Sequence, residues 1–348
     1  MDNQPLMITC LDVLSCRASI KNRVNEDAFL VLESIDRPRA MIVAVMDGVS
    51  MRVLLPPFLA YLEKNYPGLT PAAFATQYLR TNLISQFYKD PRRSLRDVLL
   101  NANSALRKTI GKTMGGFDPV KILAEANRPL GDDMRNVRMM LPACVITLAR
   151  LDLVSRRLDY AHLGDTNLIE IFRNGEAIRH TADQMGPFDS MMLQTAANIQ
   201  IENQLPHFQD AVMLPEVREL NLRNRLRHNY VNARGHTDRQ EGTGVINGLP
   251  QAEDYIDTGS IAVDPSRTVG FLLLTDGLEL FPILCEQREQ SEQRIRQIAR
   301  LVRESGLRGL YDAVRKMAQG DPLFDQYPRV KYMDDATGIY IEITPPEG

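Results

Sequence analysis

The sequence predicts an α+β protein built on antiparallel sheets, and three observations carry that prediction. Short apolar runs occur as neighbouring pairs joined by hairpin-type turns. A long intervening segment changes to helical spacing. Strands and helices then follow in blocks, without the strand–helix–strand alternation that a parallel sheet requires.

Residues 28–33 (AFLVLE) and 41–46 (MIVAVM) flank the polar loop SIDRPRA and read as a β-hairpin. From Leu54 to about Ile110 the apolar residues fall three and four apart. PAAFATQYLRTNLISQFY and SLRDVLLNANSALRKTI each open on a proline or serine, a helix-start signal. Residues 115–138 mix Gly-Gly, proline and charge and read as a connector with one short helix. Strands return as ACVITLARL, RLDYAHLG and NLIEIFR, the last followed by Asn174-Gly175, a hairpin turn pair. Residues 186–240, rich in Met, Gln, Asn and Arg, read as helices and loops inserted between strands. TVGFLLLT is the next strand. A helical stretch (EQREQSEQRIRQIARLVRES, then GLRGLYDAVRKMAQ) precedes the final strand, TGIYIEIT. There is no repeat, low-complexity tract or linker.

Composition narrows the class. A chain of 348 residues with 44% hydrophobic residues buries a large core. Its 41 basic and 44 acidic side chains leave a net charge of −3, which is no electrostatic footprint for nucleic acid or an anionic membrane. The N-terminal stretch lacks a basic region and a long apolar run, so no signal peptide is expected. No apolar segment approaches the roughly 20 residues that cross a bilayer. Cys10, Cys16, Cys144 and Cys285 lack paired spacing and suit reduced thiols in a cytoplasm.

Acidic residues recur at the strand ends. MIVAVMDG ends on Asp47-Gly48, DYAHLGD on Asp165, and GFLLLTDG on Asp276-Gly277. Glu26-Asp27 and Asp334-Asp335 stand just before strands. A hairpin puts Asp27 beside Asp47. If the last strand pairs antiparallel with 268–275, Asp334 and Asp276 share a rim as well. Clustered carboxylates repel, and hard divalent cations such as Mg²⁺ or Mn²⁺ compensate them through an all-oxygen shell. Independent Asp-Gly turns and surface acids are the alternative reading of each site taken singly.

Five segments, in order, resemble the motifs of the metal-dependent serine/threonine protein phosphatases of type 2C: NEDAF at 25–29, VAVMDG at 43–48, LGDTN at 163–167, LLLTDGLEL at 272–280 and MDDATGIYIEI at 333–343. HTADQ at 180–184 resembles the family's Thr-x-Asp-His segment, and 244–263 its approach to the fourth of these motifs. The resemblance implies one catalytic domain over 1–348, with a variable region at about 186–240. It also implies a four-layer α/β/β/α sandwich, two antiparallel sheets flanked by helices, with a two-metal centre between the sheets. Asp47 would bridge two Mn²⁺ or Mg²⁺ ions, with the Gly48 carbonyl on one of them. Asp276 and Asp334 would complete the other ion, Glu26 and Asp27 would act through metal-bound waters, and Asp165 would help bind a weaker third metal. The implied reaction is hydrolysis of phosphoserine or phosphothreonine in a phosphorylated protein by a metal-activated water.

The chain departs from the family at several positions. Asn22 stands where an arginine usually grips the phosphate. Of its neighbours Lys21 and Arg23, Arg23 is the candidate, because bidentate grip is an arginine property. Leu280 replaces an aspartate of the third metal, and Gln184 replaces the histidine of the Thr-x-Asp-His segment. These changes motivate a rival reading, a weak or silent phosphatase-like scaffold that binds a phosphoprotein or signalling partner.

Other motifs carry less. Cys144 and Arg150 have Cys-x5-Arg spacing, but CVITLAR is a strand and not a glycine-rich phosphate loop. GKT at 111–113 lacks the preceding strand and glycine of a P-loop. The five histidines show no zinc spacing, and His162 reads as structural. The arginine-rich run 217–239 reads as a solvated helix and loop; docking a phosphorylated or acidic partner is its alternative.

Overall fold

A computed structural model describes residues 5–18, 24–33, 40–50, 53–127, 130 and 133–344. Along the chain run β1 (Met7–Cys16), β2 (Ala28–Glu33), β3 (Ala40–Gly48), α1 (Pro56–Asn65), α2 (Pro71–Lys89), α3 (Leu95–Thr113) and α4 (Pro119–Ala124). There follow β4 (Cys144–Asp152), β5 (Arg157–Leu163), β6 (Asn167–Phe172), β7 (Ala177–Arg179), α5 (Gly186–Glu202), α6 (Phe208–Met213) and α7 (Pro215–Asn224). The chain ends in β8 (Asp257–Ala262), β9 (Thr268–Leu274), α8 (Arg288–Gly320) and β10 (Ala336–Thr344).

The strands form two antiparallel sheets of five, ordered β1-β10-β9-β6-β7 and β2-β3-β4-β5-β8. Strand side chains alternate between faces with period two, and this alternation builds the layers. On β3, Ile42, Ala44 and Met46 pack toward α1–α4, whereas Met41, Val43 and Val45 pack toward the other sheet. On β9, Leu272 and Leu274 meet α8, whereas Phe271 and Leu273 meet the first set's inner face. Ile339, Ile341 and Ile343 of β10 complete the layer between the sheets. Both faces of the central strands are therefore covered, which is why they read as continuous apolar runs. The four-layer α/β/β/α sandwich is the observed architecture.

The two hairpins read from sequence are present. Ala28 pairs with Met46 and Glu33 with Met41, although the loop residues 34–39 lie outside the described residues. Ile171 pairs with Ala177 around Gly175, whose φ of +88° suits glycine. The last strand pairs antiparallel with β9, Gly338 opposite Leu274. α8 breaks at Gly306, where the second quoted segment of the helical stretch begins: Gly306 has φ +67°, and the Leu307 N–H donates to Asp12 Oδ2 at 2.8 Å. Sequence reading missed β1 and β8. β1 is an edge strand whose side chains are mostly exposed or half-buried, so it lacks the apolar signature of an inner strand. β8 is likewise an edge strand of alternating, mostly polar residues.

Two glycines fix how closely the segments approach at one rim. A Cβ at Gly48 would stand 2.6 Å from the Glu26 carbonyl oxygen, and one at Gly277 only 1.8 Å from the Asp335 carbonyl oxygen. Each Asp-Gly pair therefore lets an acid pair from elsewhere in the chain lie directly against it. Gly277→Ala is expected to cost about 3 kcal/mol of unfolding free energy, the severe end of overpacking. Gly320→Ala, where no atom lies within 4 Å, should stay within about 0.5 kcal/mol of wild type. Paired denaturant titrations check both.

Candidate metal centre

Strand ends from both sheets meet at this rim. The β2–β3 register leaves Asp27 beside Asp47, and the β9–β10 register leaves Asp276 beside the start of β10, just after Asp334 and Asp335. Asp165 lies between β5 and β6. Sheet-to-sheet hydrogen bonds lock the rim: Thr275 Oγ1 donates to Asp27 Oδ2 at 2.8 Å, and the Glu26 N–H donates to Asp335 Oδ2 at 2.7 Å. The other Asp335 oxygen accepts from the Ala18 N–H at 2.6 Å.

The electrostatics of the rim are costly. Burial, aided by repulsion from Asp276 and Asp335, pushes Asp27 up to about 7 against the pull of the Thr275 hydroxyl. Asp47 is raised well above the ordinary carboxylate range by burial and by the charges of Asp27, Asp276 and Asp165. Asp165 is raised well above it by burial, Asp276, Asp183 and Asp189. Two further acids belong to the group. Asp183 is raised chiefly by burial, and Asp189 reaches about 7 through burial, Asp183 and Asp276. Asp183 sits in the HTADQ segment already singled out. Asp189 lies six residues after Asp183 in GPFDS, at the start of α5, with nothing in its local sequence to mark it.

A lysine enters this group. The Lys331 ammonium contacts Asp334 directly and stands 4.0 Å from Asp276 Oδ2; its charge also lowers Asp47 and Asp189. Sequence reading missed Lys331, which lies outside every quoted motif.

The remaining site residues are placed as follows. Glu26 is buried, and its carboxylate accepts from Thr70 Oγ1 at 2.7 Å and from the Ser50 hydroxyl. Thr70 also caps α2 by accepting from the Ala73 N–H at 3.1 Å, so Glu26 ties the rim to a helix start. Arg23, with Lys21 and Asn22, lies outside the described residues. Leu280 is buried in the core against α8. Glu279 beside it is held low despite burial, by Arg179 at 3.0 Å and Arg294 at 2.7 Å. Gln184 bonds the Gly164 and Gly244 N–H groups through Oε1. His162 is buried, with its ring against Thr147 and the Ala182 carbonyl, a satisfied structural histidine. Burial pushes the Cys144 thiol up, away from nucleophilic use.

The donor set suits a hard divalent cation: all oxygen, largely buried, with Asp27 Oδ1 and Asp276 Oδ1 buried and without a hydrogen-bond partner among the described residues. As placed, no three His, Cys, Asp or Glu side chains among the described residues stand close enough to hold a metal ion. Lys331 occupies part of that space.

Solved structures that share this fold include phosphatases. A bacterial serine phosphatase aligns over 98% of this chain and 100% of its own, at 13% identity and a TM-score of 0.50. Serine/threonine phosphatase Stp1 from Staphylococcus aureus aligns over 97% of this chain and 96% of its own, also at 13% identity and a TM-score of 0.50. No family model and no curated protein matches the sequence. The chain thus has the fold of the type 2C serine/threonine phosphatases, whose motifs its own strand ends resemble. No helix among the described residues is long and apolar enough to cross a membrane.

The raised acids give a pH signature. Asp27 and Asp189 bind protons in the folded chain up to about pH 7, but release them near pH 4 when unfolded. Stability is therefore fullest below about pH 4 with respect to these groups and falls as pH rises through about 7. In chelator, the melting temperature should decline over that window, and Asp27→Asn should flatten the decline. A melting temperature that climbs from pH 5 to 7 would contradict the assignment.

Proposed function

We propose that the protein is a metal-dependent phosphatase that removes phosphate from phosphoserine or phosphothreonine of proteins. The observation that carries this reading is the convergence of Asp27, Asp47, Asp165 and Asp276, from both sheets, into one mutually repelling group.

Asp47, Asp276, Asp334 and the Gly48 carbonyl would hold two Mn²⁺ or Mg²⁺ ions. When bound, the ions would neutralise the phosphate dianion and make a nucleophile of water near neutral pH. The chain's own work is to hold the carboxylates and the substrate. Thr275 orients Asp27 from the opposite sheet, and Asp335 clamps the Glu26 backbone. Glu26, held by Thr70 and Ser50, and Asp27 would receive hydrogen bonds from water at the centre. Arg23 would grip the phosphate as a planar fork. Lys331 must swing off Asp334 for metal to enter, so the chain carries a built-in competitor for the cation. Asp165, with Asp183 and Asp189 nearby, would serve a third and weaker ion, for which Leu280 offers no ligand. Compartment follows the same reading: four free cysteines suit a cytoplasmic protein acting on phosphoproteins.

A second reading, a phosphoprotein-binding scaffold without turnover, is favoured by one observation, the Lys331 ammonium against Asp334. Two measurements separate the readings. A phosphoserine peptide should be hydrolysed with Mn²⁺, and Asp276→Asn should reduce turnover at least about 100-fold, as loss of some 3 kcal/mol of charge stabilisation requires. Absence of turnover in wild-type protein with metal bound would leave the scaffold. Lys331→Gln should bind Mn²⁺ about tenfold more tightly by calorimetry, since a competing charge close to two carboxylates is removed; unchanged affinity would discard the competitor role.

A further inference from the structure

A cavity of about 310 Å³ lies between the 3₁₀ turn Met134–Met139, α5 and α7. Its lining carries four arginines, Arg135, Arg138, Arg223 and Arg227, against one acid, Asp133. Three of the four have carboxylate partners: Arg135 with Asp133, Arg223 with Glu219 at 3.4 Å, and Arg227 with Glu241. Arg138 differs. It is only 5% exposed, and its Nε and Nη1 have no hydrogen-bond partner among the described residues. Asn224, at 4% exposed, lines the same cavity with an unpartnered Nδ2.

Asp133 offsets part of the Arg138 charge but pairs with Arg135, and burying guanidinium N–H groups without acceptors is expensive. Burial pulls Arg138 below its ordinary value, and the like charge of Arg135 adds to that pull. His228, buried beside it and lowered to about 3, is neutral near pH 7 and neither adds to nor relieves the charge. An oxyanion would satisfy these donors together. A phosphoryl group fits best, since several oxygens can take bonds from Arg138 and Asn224 at once while the neighbouring arginines supply field. The volume is at the small end for ligand pockets, which suits a single group better than a nucleotide.

We propose that this cavity is an oxyanion site, separate from the carboxylate rim, that binds a phosphoryl group through Arg138 and Asn224. Helix α5 links the two places: Asp189 near its start belongs to the acidic group, and Met191 lines the cavity. The phosphoryl group comes either from a free phosphate-type anion or from a phosphorylated side chain of a polypeptide.

The test is titration of the full chain in chelator, where the carboxylate rim holds no divalent ion and repels phosphate. Inorganic phosphate should bind saturably by calorimetry. Arg138→Met, which keeps the volume and removes the buried charge, should lose at least about tenfold in affinity without a lower melting temperature. Arg223→Gln, at an exposed position, should weaken binding several-fold and decides the matter if Arg138→Met does not fold. No saturable binding by wild type, or wild-type affinity in both variants, overturns the site. A phosphoserine peptide that binds about tenfold more tightly than inorganic phosphate, with the same loss in Arg138→Met, assigns a phosphorylated polypeptide; equal affinities assign the free anion.

Discussion

The Asp335 carboxylate holds the two sheets together where it matters. It stands at the start of β10 in one sheet, yet its oxygens accept the N–H groups of Glu26, which leads into the other sheet, and of Ala18, which follows β1. With both oxygens committed, the segment carrying Asp334 cannot drift from the segment carrying Asp27. Thr275 repeats the connection through Asp27 Oδ2, and Gly48 and Gly277 allow the backbones to close without steric cost. Asp335 is thus the acid that is fully used in structure. That leaves its neighbours Asp27, Asp47 and Asp276 with oxygens turned to other work. A buried carboxylate bonded to two backbone N–H groups is a stabilising element, whereas one facing other carboxylates is a strain.

Much of this was legible in the sequence because the central strands are covered on both faces. Apolar runs such as MIVAVM and GFLLL mark buried strands whatever their partners, and an acid directly after such a run must lie at a sheet rim. The first hairpin sets Asp27 beside Asp47, whereas Asp276 beside the last strand rested on an assumed pairing that the register bears out. The edge strands β1 and β8 could not, because an edge strand needs only one covered face and carries polar residues on the other. Asp189 and Lys331 were also hidden. Both reach the rim from loops and a helix start, where no periodicity constrains direction, and only tertiary packing brings them to the acids. Asp335 carried no assigned role in the sequence, since the chain alone does not show which of two adjacent aspartates spends its oxygens on backbone.

The rim and the arginine cavity share a logic of opposite sign. At one, acids are buried with too little positive charge; at the other, a guanidinium is buried with two of its nitrogens unpartnered among the described residues. Either arrangement lowers the stability of the unliganded chain, and each is relieved by a ligand of complementary charge. The contrast with Glu279 is instructive. It too is buried near the rim, but Arg179 and Arg294 hold it ionised, so it behaves as a closed ion-pair network. Side chains that the fold compensates internally stay structural; those it leaves uncompensated mark where something else binds.

The pairing of Met7 with Thr344 has a consequence for how the molecule comes into being. β1 pairs with β10, so it must wait until β10 has been translated before its edge is covered. Contacts of such sequence separation close late. Asp334 and Asp335 immediately precede that same final strand, and the acidic rim therefore cannot assemble on a nascent chain still lacking it. The rim is complete only once the ribosome has delivered β10.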